Sequence, residues 1–312
     1  MESPALPRIW RFSVTPCVAR AASLLPGAES RAIHFHRDVG FDPSNCEAGL
    51  IPGRSVRLRI CPRLLLFLAL ALPAFAQLQS ANASGVSMGH LHFHADDLAP
   101  HVRFWTEVLG ATPTKVGPLD VYRLPGVFIA MTKAKPTGDM ETSTVPIVGF
   151  RVRDLAAILT KATAAEVRIV DRSDSGATLI GPDRIRVRLT ADKKLEEAVV
   201  NDRIQIASPK PEQAAKWYAD VFGAAAVESQ ATLPGVRLEF TETASPAGTK
   251  NRVLDHIGFE VKDLQAFTKA LLARGVKVDL PYLKLPDLGI AIGFVTDPWG
   301  TYIELTEGLD KH

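Results

Sequence analysis

Cysteine is scarce. The 312 residues hold three, Cys17, Cys46 and Cys61, and none after position 76. Three are too few for a disulfide framework, and a body without a thiol cannot use thiol catalysis. An excess of one charge is also missing. Lys and Arg number 36 against 34 Asp and Glu, a net charge of +2, far from the basic balance of a nucleic-acid-binding domain. The apolar run from Leu64 to Leu72 has nine residues, where a membrane span needs roughly 20. No phosphate loop, Gly-rich dinucleotide turn or Ser-His-Asp context is found. What is there is ordinary for a folded protein. Hydrophobic residues at 46% and charged residues at 22% exclude wholesale disorder, and the length predicts about two domains.

Charge divides unevenly along the chain. Residues 1–76 carry nine basic residues against five acidic ones, or +4, and all three cysteines. The remainder carries 27 basic against 29 acidic, or −2. Arg57, Arg59 and Arg63 precede the Leu64–Leu72 run, and Pro73 and the triplet Ala74-Phe75-Ala76 follow it. A basic start, a short apolar core and a small-x-small triplet are the parts of a secretory signal peptide. The expectation is a bacterial exported protein, periplasmic or secreted, with a signal at 56–76 cleaved near Ala76-Gln77 and no stable membrane span after processing. Residues 1–55, rich in Pro, Arg, Ser and Ala, show no helical or strand period. They are read as unstructured, with translation starting nearer Val56.

The other 236 residues repeat. Leu124-Pro-Gly-Val127 recurs as Leu233-Pro-Gly-Val236. Val148-Gly-Phe-Arg-Val-Arg-Asp-Leu155 recurs as Ile257-Gly-Phe-Glu-Val-Lys-Asp-Leu264, again 109 residues later. Phe104-Trp105 before Gly110 parallels Trp217-Tyr218 before Gly223. Each half of this duplication holds two related units. Every unit opens on a short alternating strand: His90–His94, Ile147–Val152, Arg203–Ala207 and His256–Val261. A helix of roughly three turns follows, with apolar residues at helical spacing, and then three strands. The last strands are read at Val127–Thr132, Ile185–Thr190, Val236–Thr241 and Thr301–Thr306. Units of roughly 50 to 60 residues cannot bury a full core alone, so they pack in pairs. Linkers are expected at Lys133–Thr144, Ala191–Ala198 and Ala244–Asn251.

The repeated βαβββ unit resembles the vicinal oxygen chelate superfamily, which includes glyoxalase I, bleomycin-resistance proteins and extradiol dioxygenases. The likeness rests on Gly89-His90-Leu91-His92, on Phe104-Trp105 with Gly110, on Asp255-His256-Ile257-Gly258-Phe259, and on Asp297-Pro-Trp-Gly-Thr-Tyr-Ile-Glu-Leu305. It implies an α+β fold, with four βαβββ modules in tandem forming two half-open mixed-sheet barrels. By sequence halves the domains would be 77–192 and 199–308. The resemblance also implies metal ligands on the first and last strands of paired modules. Inward side chains alternate along a strand, so one His or Glu per strand can converge on an ion. The positions are His90 and Ala130, Ile147 and Arg188, Arg203 and Glu239, and His256 and Glu304.

Two pairings are open. If the outer modules pair, His90, His256 and Glu304 form a two-His-one-carboxylate set, which the reading leans towards. If neighbours pair, the set is Glu239, His256 and Glu304, with Arg203 where a ligand would be expected. Imidazole and carboxylate suit Fe(II), Mn(II), Zn(II) or Ni(II). Glu304 and Glu239 are the candidate catalytic carboxylates. His92, Arg203, Tyr282 and Trp299 are the candidate pocket residues, the last two expected on loops. His101 is expected to be solvated and His312 disordered. Arg184, Arg186 and Arg188 suggest an anion-binding wall or, preferably, a solvated edge strand. The function implied is a metal-dependent dioxygenase or glyoxalase-like lyase or isomerase acting on a small oxygen-chelating substrate. The alternative is a metal-free binding protein. A monomer is feasible and a homodimer possible, since one chain can supply every module pair.

Overall fold

The computed structural model describes residues 78–312. The stretch 1–55, the signal at 56–76 and the three cysteines lie outside them. The first module consists of β1 (Val86–Ala95), α1 (Leu98–Arg103) continued by a π-helical turn (Phe104–Val108), β2 (Thr112–Val116), β3 (Leu119–Leu124) and β4 (Val127–Lys133). The second has β5 (Ile147–Val152), α2 (Leu155–Ala164), β6 (Arg168–Ser173), β7 (Gly176–Ile180) and β8 (Arg186–Ala191). The third has β9 (Val199–Ser208), α3 (Pro211–Phe222), β10 (Ala225–Val227), β11 (Gln230–Leu233) and β12 (Val236–Glu242). The fourth has β13 (Leu254–Val261), α4 (Leu264–Ala273), β14 (Val278–Leu285), β15 (Ile290–Thr296) and β16 (Tyr302–Glu307).

Local chemistry repeats with the modules. Asp97, Asp154 and Asp263 cap α1, α2 and α4 by accepting the backbone N–H of Ala99, Ala157 and Ala266. Such caps satisfy helix-end donors that would otherwise be orphaned. The helix α3 instead begins on Pro211 and stops at Gly223, the asymmetry expected of those two residues. The Leu-Pro-Gly-Val repeat is a turn. Gly126 and Gly235 take φ of 83° and 85° between the last two strands of their modules, a conformation that L side chains resist.

Two eight-stranded mixed sheets result. Their orders are β14-β15-β16-β13-β1-β4-β3-β2 and β10-β11-β12-β9-β5-β8-β7-β6. The first joins modules one and four, and the second joins modules two and three. The ranges 77–192 and 199–308 are therefore each divided between the two sheets. Linker length accounts for this pairing. Residues 192–198 join modules two and three within one sheet. The longer stretches 134–146 and 243–253 pass from one sheet to the other and bond to each other. Thr144 donates its N–H to Ala247, and Arg252 donates to the Asp139 carbonyl. One hydrophobic core serves both sheets. Within it the fully buried Trp105 lies between Phe93 of β1 and Phe150 of β5, with ring centroids 5.2 and 6.1 Å away.

Several local expectations change. The strand β8 runs between β5 and β7, not at an edge, and Arg184 precedes it in a 3-10 turn. A helix end and a buried face explain His101: it is fully buried and its Nε2 lies 2.8 Å from Asp183. His312 is ordered by Arg123, which donates to its carbonyl at 3.2 Å. Tyr282 lies in β14 rather than a loop, and both Tyr282 and Trp299 pack partly buried against the core.

Candidate metal centre

The centre of the first sheet is the antiparallel pair β1 and β13. His92 stands opposite His256, and His90 stands opposite Gly258. On the far side of β13, Glu304 of β16 stands beside Gly258. Alternation along β1 puts His90 and His92 on the same face, so this register gathers His90, His92, His256 and Glu304. One ligand-type atom from each lies within 4.8 Å of the others, and all four residues are buried.

Gly258 makes this possible. A Cβ there would stand 2.1 Å from the Cε1 of His90 and 2.6 Å from its Nε2, so the imidazole lies across backbone. His256 Nε2 is 2.8 Å from Glu304 Oε2, and His90 Nε2 is 3.5 Å from the same oxygen. The 2.8 Å contact is a close ion pair without the alignment of a full hydrogen bond. Adjacent donors bound to one ion at about 2.1 Å would stand about 3 Å apart. The donor set and its spacing thus fit a divalent ion.

Two carboxylates shape the electrostatics. His256 donates from Nδ1 to Asp255 Oδ2 at 2.7 Å. Burial opposes a charged imidazole, but the Asp255 hydrogen bond and the Glu304 carboxylate outweigh it and raise the His256 pKa to about 9. Burial likewise works to raise Asp255 and Glu304. The neighbouring imidazoles prevail in both, holding Asp255 at about 2 and Glu304 well below the carboxylate range. His92 moves the other way. Burial first, then the charge on His256, lowers its pKa, and its Nε2 lies 2.9 Å from the Thr132 hydroxyl. Without an ion the centre is therefore an imidazolium–carboxylate pair beside a neutral imidazole. Behind it, His94 Nδ1 lies 3.8 Å from Asp255.

The structure thus brings together His90, His256 and Glu304, and adds His92. The sequence signal for His92 was its spacing of two from His90. Glu239 does not join them. It belongs to β12 in the other sheet, where Arg203 reaches both its oxygens at 3.2 Å and Arg237 reaches one at 3.0 Å. The alternative set of Glu239, His256 and Glu304 is not assembled, because β9 and β12 pair with module two and not with β13.

The second sheet repeats this register with other side chains. Ile147 faces Gln205, Arg203 faces Gly149, and Arg188 stands beside Gly149. These are the places of His256 and His92, of His90 and Gly258, and of Glu304. Glu239 holds the place of Ala130.

Residues 201–305 match the Glyoxalase/Bleomycin resistance protein/Dioxygenase superfamily, a span that includes His256 and Glu304 but not His90. Glyoxalase I from Zea mays has a similar structure at 17% identity, over 72% of this chain and 94% of its own, with a TM-score of 0.56. A protein from Bacillus subtilis provisionally named a dioxygenase is similar at 11% identity, over 74% of this chain and 86% of its own, with a TM-score of 0.55. At such identities the likeness is one of fold. No curated protein matches the sequence.

Proposed function

We propose that this chain, whose residues 201–305 match the glyoxalase/bleomycin resistance protein/dioxygenase superfamily, is a divalent-metal-dependent enzyme of the dioxygenase kind. Its substrate would be a small molecule that offers two oxygens. One observation carries the reading: ligand-type atoms of four buried side chains converge, with His256 Nε2 2.8 Å and His90 Nε2 3.5 Å from the same Glu304 oxygen. His90, His256 and Glu304 would hold the ion, and a two-His-one-carboxylate set suits Fe(II) or Mn(II). When bound, the ion supplies Lewis acidity and open positions for substrate oxygens.

The protein's own groups do the rest. Asp255 takes the Nδ1 proton of His256 as a hydrogen bond, which turns Nε2 toward the centre and fixes the ring. His92 is an uncharged imidazole next to the triad, able to hydrogen-bond a substrate oxygen. Thr132 holds its ring in place. A glyoxalase-type reaction would call for a second carboxylate, and Glu239 is engaged by two arginines in the other sheet. The basic start, apolar run and Ala74–Ala76 triplet support an exported protein, which would work apart from the cytosolic thiol pool.

Metal analysis of the purified full chain tests the reading. We expect about one iron or manganese per chain, and less than about a tenth of that in His256→Ala and Glu304→Ala. Oxygen uptake with vicinal diols should follow Fe(II) loading. Isomerisation of a hemithioacetal without oxygen uptake would replace the dioxygenase by the glyoxalase reading. Wild-type protein that takes up no metal on reconstitution, yet retains a small organic molecule, would establish the metal-free binding protein instead.

A further inference from the structure

The second sheet has its own cleft at the register that gathers the metal centre in the first. It has a volume of about 260 Å³, and its lining includes Ile147, Thr178, Arg188, Gln205, Glu239 and the exposed Asp171. No metal can be held here, because arginine stands where His90 and Glu304 stand in the first sheet, and isoleucine where His256 stands. Cations on these strands repel an ion and attract an anion.

Most of the charges are already satisfied. Arg203 spends its guanidinium on Asp202 at 3.2 Å, on both oxygens of Glu239 at 3.2 Å and on Thr190 at 2.9 Å. Arg237 completes the neutralisation of Glu239 at 3.0 Å. Arg186 is paired with Glu141 at 2.9 Å. The Gln205 amide donates to Thr241 at 3.1 Å. Arg188 differs. It is half-buried, and its one hydrogen bond is a 3.3 Å donation to the hydroxyl of the buried Thr178. Among the described residues no carboxylate lies within 4.0 Å of it. An arginine has five N–H donors arranged as a fork. Its remaining donors are open to solvent, where an anion can replace water.

We propose that this cleft is a second site, independent of metal, which takes a compact oxyanion with Arg188 as its anchor. A guanidinium binds a carboxylate or phosphate through two parallel hydrogen bonds. The volume falls below the 300–1,000 Å³ usual for drug-sized ligands, so the occupant is small. Ile147 offers an apolar wall, and the Gln205 carbonyl and Thr178 hydroxyl remain as polar groups that can orient it. Asp171 also lines the cleft, but it is exposed, so its charge is screened.

Calorimetric titration of the full chain with inorganic phosphate, and separately with malonate, tests this at constant ionic strength with chloride as reference. Phosphate, malonate or both should bind more tightly than chloride, and which of them does identifies a phosphate or a carboxylate site. Arg188→Leu should weaken binding about tenfold or more and leave metal content unchanged. Arg188→Lys keeps the charge and loses the fork, so it should give an intermediate loss. If neither anion outbinds chloride, the proposal fails. It fails equally if a folded Arg188→Leu protein binds as well as wild type. Should that variant not fold, undiminished binding in Arg188→Lys overturns the proposal. Metal content is a separate readout, so this result and that for the metal centre cannot be confused.

Discussion

At the middle of one sheet His90 lies across Gly258, and at the middle of the other Arg203 lies across Gly149. The central strands match in register, and α2 and α4 share an aspartate cap. The side chains divide the chemistry. Buried imidazoles with Glu304 and Asp255 fill the first sheet, and arginines balanced by Glu239 and Asp202 fill the second. A duplicated scaffold thus keeps its register while its sites diverge, which is why fold alone could not assign a function to either half.

Gly258→Ala should have the largest effect. The new Cβ would meet the His90 ring at 2.1 Å, and a rigid ring backed by the sheet cannot yield without leaving the centre. We expect metal affinity to drop by about a hundredfold along with a stability loss of about 1–3 kcal/mol. Gly149→Ala meets the Arg203 Cγ at 2.6 Å, and should cost similar stability while leaving metal content untouched. Metal analysis and denaturant melts of both variants check this. Equal metal loss in the two would break the comparison.

The converse change is smaller. Ile147→His, Arg203→His and Arg188→Glu together copy the triad into the second sheet. This variant should bind a second metal equivalent, about 10–100-fold more weakly than the first. The reason lies behind the new imidazole: Pro146 stands where Asp255 stands in the first sheet, so no carboxylate orients the ring. Metal stoichiometry under competition with a chelator measures it. Failure to gain any ion would show that matching register does not suffice.

Much of this was legible in the sequence. The 109-residue repeat and the recurring strand–helix–strand pattern gave the four modules. The strand Ile147–Val152 has the bounds read from alternation. Pairing was not legible, because every module opens on a strand whose free edge any other could satisfy. That choice rests on which linkers cross, a property of the whole chain. The centre followed from it: His90 and Glu304 are 214 positions apart, and only pairing of β1 with β13 makes them neighbours. His92 was visible as a neighbour of His90. Its place in the cluster became clear only with its partner strand. Arg188 was misjudged for the same reason, since an alternating arginine strand reads as an edge until β7 is found beyond it.

The smallest effect concerns a pair of positions just beyond the two centres. Glu260 in module four corresponds to Arg151 in module two, each opposite a threonine of the last strand. Arg151 is paired with Asp192 at 3.0 Å. Among the described residues Glu260 has no such cation. It accepts the N–H groups of Gly308 at 2.8 Å and Leu309 at 3.3 Å. Burial, only partly offset by these bonds, raises its pKa to about 8. An acid with a raised folded pKa holds its proton more tightly folded than unfolded. Below about pH 4.5 both states are protonated, and its favourable contribution is complete. Between about pH 4.5 and 8 the unfolded chain ionises first, so stability falls, by at most a few kcal/mol. Above that range the loss is constant. Glu260→Gln keeps an oxygen to accept both N–H groups and cannot ionise, so its denaturation midpoint should vary less between pH 5 and 8 than that of wild type. Arg151→Gln should keep the wild-type slope, because its arginine stays charged throughout. A slope unchanged by Glu260→Gln would mean that this carboxylate is solvated in the folded protein, and that the asymmetry between the sheets ends at their centres.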